Sequence, residues 1–172
     1  MKDHVSGIKQ YFDATAARFD DIYSVEKPWH QKIIDSIFRK TVNQRYELIM
    51  AALADVAGKT VLDVGTGSGR YAVELAAREA IVTGVDFSPE MLALAREAAE
   101  KRHVTDRCRW LQGDFLQVST PEDRFNVSLA IGFFDYIHDP QPILKRMAWL
   151  TIKTMYLSFP KRWTVRTGFR KL

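Results

Sequence analysis

Three aspartates stand at the ends of short apolar runs, and the first immediately precedes a series of alternating glycines. Asp63 lies in Val61-Leu62-Asp63-Val64-Gly65-Thr66-Gly67-Ser68-Gly69-Arg70, Asp86 closes Ile81-Val82-Thr83-Gly84-Val85-Asp86, and Asp114 sits in Gln112-Gly113-Asp114-Phe115. Gly65, Gly67 and Gly69 have no Cβ, so a ligand can lie directly against the backbone there, and they admit backbone angles that other residues avoid. A strand-end carboxylate such as Asp86 can accept hydrogen bonds from both hydroxyls of a ribose. Asp114 can accept one from the exocyclic amine of an adenine while an aromatic neighbour covers the ring. The plainer readings are a turn cap before Ser88 for Asp86 and a solvated loop acid for Asp114.

The glycine turn alone admits two kinds of ligand. Gly67-Ser68-Gly69-Arg70-Tyr71-Ala72 satisfies the permissive G-x-G-x-x-A form of a dinucleotide-binding turn. The frame that starts at Gly65 fails, because its sixth position is Arg70. A dinucleotide also gives no reason for a carboxylate at Asp63, and Asp63 tips the balance against it. A nucleotide-dependent oxidoreductase stays as the rival reading, since Asp86 suits either ligand.

Such residues need strands to carry them and helices to cover those strands. From Thr60 onward, β-branched runs alternate with helical segments: Thr60 to Val64, Tyr71 to Arg78, Ile81 to Phe87, Glu90 to Lys101, Arg107 to Gly113, Asn126 to Ile131, Ile143 to Leu150 and Thr154 to Phe159. The alternation predicts parallel strands joined by right-handed crossovers, with helices on both faces. Ser88-Pro89 and Asp139-Pro140 each put a capping side chain before a proline suited to the first helical position. Earlier, Phe12, Ala16, Phe19, Ile22 and Tyr23 predict an amphipathic helix up to about Ser24. A second helical stretch carries Ile33, Ile34, Ile37, Phe38, Val42, Tyr46, Ile49, Met50 and Leu53, interrupted near Thr41 and stopped at Gly58.

At 172 residues with 47% apolar content, the chain suits one domain: residues 1–57 as cap helices, 58–160 as the α/β core and 161–172 as a basic tail. The net charge of +4 is concentrated at Lys161, Arg162, Arg166, Arg170 and Lys171, without which the remainder is near neutral. Apolar runs such as Val127 to Phe134 are too short to span a bilayer, and Met1-Lys2-Asp3-His4 lacks a signal-peptide core, so a cytoplasmic location is expected. The single cysteine, Cys108, has no partner for an intrachain disulfide or a zinc pair and reads as a small strand residue. No metal site is expected.

Together these residues resemble the class I S-adenosylmethionine-dependent methyltransferases over residues 60–160. Val61 to Gly69 resembles the family's glycine-rich first motif, Val85 to Leu92 the segment after its second strand, Gly113-Asp114-Phe115 its adenine loop, and Phe125 to Asp139 its fourth strand and functional loop. The resemblance implies a Rossmann-like doubly wound sheet of about five parallel strands under N-terminal cap helices, with S-adenosylmethionine as cofactor. Gly65, Thr66, Gly67 and Gly69 would pack on its methionine and ribose portions, and Asp63 would orient its ammonium. Asp86 would hold the ribose, and Gly113, Asp114 and Phe115 the adenine, with Phe87 and Met91 on the other side. Ile131 would line the cofactor from the fourth strand, and Tyr11, Phe12 or Tyr23 would approach it from the cap.

A looser resemblance, to the magnesium-protoporphyrin O-methyltransferases and their relatives, rests on Tyr11-Phe12-Asp13, Phe38-Arg39-Lys40 and Leu157-Ser158-Phe159-Pro160. By analogy with the family, the loop Ala130 to Asp139 lines the transfer pocket, with Phe133, Phe134 and Tyr136 as an apolar wall and His138 as candidate base for a hydroxyl acceptor. The loop lacks the Asn/Asp-Pro-Pro-aromatic tetrapeptide of base amino-group methylators, which favours a small-molecule acceptor over nucleic acid. The alternatives are an RNA methyltransferase or a non-catalytic cofactor-binding module. The family's further antiparallel strands are expected to be missing, which leaves a sheet edge that a homodimer would cover.

Overall fold

The computed structural model describes residues 42–120 and 124–160. The expected N-terminal helix with Tyr11, Phe12 and Tyr23, the start of the second helix and the basic tail lie outside the described residues. Residues 42–52 are helical (α1). They are followed by β1 (Thr60–Val64), α2 (Arg70–Ala77), β2 (Ile81–Asp86), α3 (Pro89–Lys101), β3 (Cys108–Gln112), β4 (Phe125–Ala130), α4 (Gln141–Leu150) and β5 (Thr151–Leu157).

The five strands form one sheet in the order β3-β2-β1-β4-β5, and every neighbouring pair is parallel. Strand order therefore reverses between β1 and β4, and the loops that follow these two strands leave the sheet in opposite directions. In open α/β sheets a crevice forms at this point. The β1 register sets Val64 opposite Val85, and the β2 register sets Asp86 opposite Gln112, so the ends that carry Asp63, Asp86 and Asp114 lie side by side.

The two-residue period of each strand divides its side chains between two cores. Val61, Val82, Val127 and Leu129 join Met50, Leu53, Tyr71 and Leu75 on one face. Leu62, Val64, Val85 and Ala130 join Phe115, Ile143, Met147 and Leu150 on the other. Leu62, Leu75, Leu92 and Leu129 are completely covered, each contributing roughly 1.5–3 kcal/mol through burial. Cys108 is half-buried in β3, where burial pushes its thiol up to about 11.

Several expected boundaries move. At Ser88 the cap is as expected: its hydroxyl accepts from Met91 N at 3.1 Å, and Pro89 opens α3. The Asp139 cap is displaced, because α4 opens at Gln141 with Pro140 as the residue before it, and Asp139 Oδ1 accepts from Gln141 N at 3.1 Å. Gly58 is not the stop for α1, which ends at residue 52. Gly58 adopts a φ of +69° and donates to Glu79 O, tying the entry of β1 to the end of α2. Strand β5 begins at Thr151 rather than Thr154, directly after α4. The expected strand–helix alternation also fails once, since the described part of the β3–β4 connection contains no α-helix. No helix among the described residues is long and apolar enough to cross a membrane.

Candidate functional site

The turn from β1 into α2 is shaped by Gly65, Gly67 and Gly69, with φ of +70°, +55° and +78°. Gly65 is required twice over, by its left-handed backbone and by the Phe133 ring, with which an added Cβ would collide. The turn is pinned to β2 because Gly65 N and Thr66 N both donate to Val85 O, at 2.8 and 3.1 Å. Beneath it, the Trp110 ring of β3 lies across Gly84, where an added Cβ would come within 2.7 Å of two ring atoms, and reaches Gly69. Sequence reasoning did not single out Trp110; an interior glycine paired with a tryptophan in the next strand was the available sign.

Asp63 is buried at 2% exposure, and its Oδ2 accepts the Thr66 hydroxyl at 2.8 Å. Burial pushes its carboxyl from 3.8 up to about 7; neighbouring Asp86 adds to the rise, while the Thr66 hydrogen bond opposes it. Asp86 accepts from Gly67 N at 2.8 Å through one oxygen and from Ser88 N at 3.0 Å through the other. Burial raises this carboxyl too, against the pull of the backbone N–H groups of Ser88, Gly67 and Phe87. Asp86 therefore does cap the turn before Ser88, and it also holds the glycine turn. The carboxylate still has acceptor capacity for a ligand hydroxyl. No ion pair to either carboxylate is present among the described residues.

The third aspartate is occupied differently. Asp114 Oδ1 accepts from Leu116 N at 2.9 Å and Oδ2 from Gln117 Nε2 at 3.0 Å, so the side chain folds back on its own turn. Gly113 N donates to Asp86 O at 2.9 Å and fixes that turn beside β2. Phe115 is buried at 3% exposure, with the Arg146 guanidinium 5.2 Å from its ring centre. It is thus a core residue supporting the loop rather than an open aromatic face. Phe87 is half-buried at the end of β2, while Met91 is buried in α3.

Beyond β4, Ile131, Gly132 and Phe133 are half-buried above the switch point, and Tyr136 and His138 are exposed. Phe134 corrects the expected apolar wall: it is buried at 4% exposure and stacks on Phe159 at 4.7 Å between ring centres. Ser158, just after β5, accepts from Gly132 N at 2.7 Å and from Arg45 Nη1 at 3.4 Å. Arg45 gave no sign in the sequence, and Ser158 entered it only within the Leu157-Ser158-Phe159-Pro160 likeness, since the two meet only through the tertiary fold.

A model of the methyltransferase domain matches residues 61–151, more than half of the chain. The chain belongs to the class I S-adenosylmethionine-dependent methyltransferase family. Among relatives of this methyltransferase domain, a ubiquinone biosynthesis O-methyltransferase of Aeromonas salmonicida is 30% identical over 139 residues, covering 81% of this chain and 54% of that protein. A phosphatidylethanolamine N-methyltransferase of Cereibacter sphaeroides is 33% identical over 98 residues, 57% of this chain and 48% of that protein. The chain spans about half the length of the curated relatives it matches. The magnesium protoporphyrin IX methyltransferase of Synechocystis PCC 6803, solved with S-adenosylhomocysteine, shares the fold at a TM-score of 0.77 and 21% identity, over 98% of this chain and 77% of that one.

Proposed function

We propose that this chain binds S-adenosylmethionine in the crevice between β1 and β4 and directs its methyl group to a small-molecule acceptor. The observation that carries the reading is Asp63, a buried carboxylate with no counter-ion among the described residues, set against bare glycine backbone and next to the half-buried carboxylate of Asp86. Burying an unpaired charge is costly, so the arrangement suits a cationic ligand. A dinucleotide would instead bring a pyrophosphate to the glycine turn beside two acids.

Bound there, the cofactor supplies an already activated methyl group on a sulfonium, so the chain's task is placement and exclusion of water. Asp63 would orient the amino-acid ammonium, held by the Thr66 hydroxyl. Asp86 would accept the ribose hydroxyls while still bonded to Gly67 N. The turn at Gly113 and Asp114 would border the adenine, with Phe87 beside it. Ile131 would line the cofactor, Phe133 and Tyr136 would face the acceptor, and His138 would take the proton of a hydroxyl acceptor. The relatives' printed activities include both O- and N-methylation, all on small molecules, which supports the acceptor class and leaves the accepting atom open.

Calorimetric titration tests the reading. S-adenosylhomocysteine should bind the purified protein stoichiometrically, and Asp86→Ala should abolish that binding. Preferential binding of a nicotinamide dinucleotide would overturn it.

A further inference from the structure

The segment just past β5 has no task in the reading above, yet two of its residues grip the loop that follows β4. Ser158 Oγ accepts from Gly132 N at 2.7 Å, and Ser158 N donates to Ala130 O at 3.1 Å. One residue further on, the Phe159 ring stacks on Phe134 with ring centres 4.7 Å apart. Phe133 lies between these two anchors. Its ring stands edge-on to Phe134, 5.5 Å between centres, and fills the space beside Gly65 in the glycine turn.

The chemistry of the first anchor is specific. The parallel pairing of β4 with β5 ends at Ala130 and Leu157, so no strand partner reaches the Gly132 N–H. Gly132 is half-buried and has a φ of +76°, a conformation that glycine takes without strain. An N–H in this position needs an acceptor, and the Ser158 hydroxyl supplies it. The same oxygen accepts from Arg45 Nη1 at 3.4 Å, which ties its second lone pair to α1. Only the φ and ψ of Gly132 separate this hydrogen bond from the rigid peptide that carries Phe133, so the bond that holds one residue orients the next.

We propose that Ser158 is a positioning residue of the site: through Gly132 it holds Phe133 against the glycine turn, and so sets the wall between the bound cofactor and its methyl acceptor. The inference rests on the cofactor reading above and adds to it the residue that keeps this wall in place.

Calorimetry with S-adenosylhomocysteine on the wild type, Ser158→Ala, Phe133→Ala and the double variant tests it, with exchange of the Gly132 amide followed by NMR. Ser158→Ala should speed that exchange about ten-fold and weaken S-adenosylhomocysteine about 3–10-fold, the effect of losing one neutral hydrogen bond. Ser158→Thr, which keeps the hydroxyl, should stay within about two-fold of wild type in both. In the Phe133→Ala background the Ser158→Ala substitution should change affinity by less than about two-fold, because the ring through which it acts is gone. Should Ser158→Ala not fold, Ser158→Cys, similar in size but a weak acceptor, takes its place. Undiminished affinity in Ser158→Ala, or losses that add in the double variant, overturns the positioning role while leaving the cofactor reading intact. Failure of the wild type to bind S-adenosylhomocysteine brings down the cofactor reading and this inference with it.

Discussion

Replacing Asp63 by asparagine should stabilise the free protein at pH 8 while disabling it as a receptor. Asparagine keeps the shape and an acceptor oxygen for the Thr66 hydroxyl, which donates to Asp63 Oδ2 at 2.8 Å, and it removes the charge. Burial lifts the Asp63 carboxyl from 3.8 to about 7. Between about pH 4 and pH 7 the folded protein therefore keeps a proton that the unfolded chain has released. The stability this group contributes is fully present below about pH 4, declines through the window, and is gone above about pH 7. At roughly 1.4 kcal/mol per pKa unit, the decline totals about 4 kcal/mol, a large share of the 5–15 kcal/mol typical of a folded domain. Urea titrations at pH 5, 6, 7 and 8, followed by circular dichroism, should show wild type losing stability relative to Asp63→Asn across this range and running parallel above it. A ligand ammonium would favour the ionised carboxylate, so wild type should release a proton when S-adenosylhomocysteine binds at pH 6, and Asp63→Asn should not. Calorimetry in buffers of different ionisation enthalpy measures that proton. Stability curves that run parallel throughout would refute the argument that Asp63 is buried and uncompensated.

Three further substitutions address the parts that hold the crevice in place. Gly84→Ala would set a Cβ 2.7 Å from the Trp110 ring and 2.9 Å from Thr66 Cγ2; a loss of about 1–3 kcal/mol is expected, read as a lower urea midpoint. Arg146→Met should free the carbonyls of Leu116 and Val118, to which the guanidinium donates at 2.6 and 2.5 Å, and hydrogen exchange at residues 114–118 should quicken. His138→Ala should bind S-adenosylhomocysteine as wild type does while turning over a hydroxyl acceptor about 100-fold more slowly; an unchanged rate removes His138 as the base.

The order of elements around the cofactor crevice was legible in the sequence because local chemistry decides it. Three glycines at left-handed φ can hardly be anything but a tight ligand-facing turn, and Ser88-Pro89 marks a helix start by its own hydrogen bond and ring. The β5 boundary was not legible, because α4 passes into Thr151 with neither glycine nor proline between them. Burial was harder still to read. Phe115 and Phe134 look like pocket aromatics in sequence, yet both are core residues, covered by Arg146 and Phe159 from distant segments. Arg45, Tyr71 and Ser158 come together from α1, α2 and the end of β5, and no local pattern connects those three positions.

The distribution of unsatisfied groups supports the same location for the site. Away from the crevice, buried polar atoms find partners inside the chain. Ser128 and Thr151 share a 2.7 Å hydroxyl contact deep between β4 and β5, and Asn126 Oδ1 accepts from Thr60 N at 2.9 Å. The buried side-chain atoms left without a partner among the described residues are Arg45 Nε, Tyr71 Oη, Trp110 Nε1 and Arg146 Nε. Each belongs to a side chain that forms the rim of the crevice, its floor or the brace of its adenine-side loop. Tyr71, which interacts with the charges of Arg45 and Asp63, puts part of that uncompensated polarity at the crevice. A ligand that satisfies it binds the folded state alone and adds stability through that linkage.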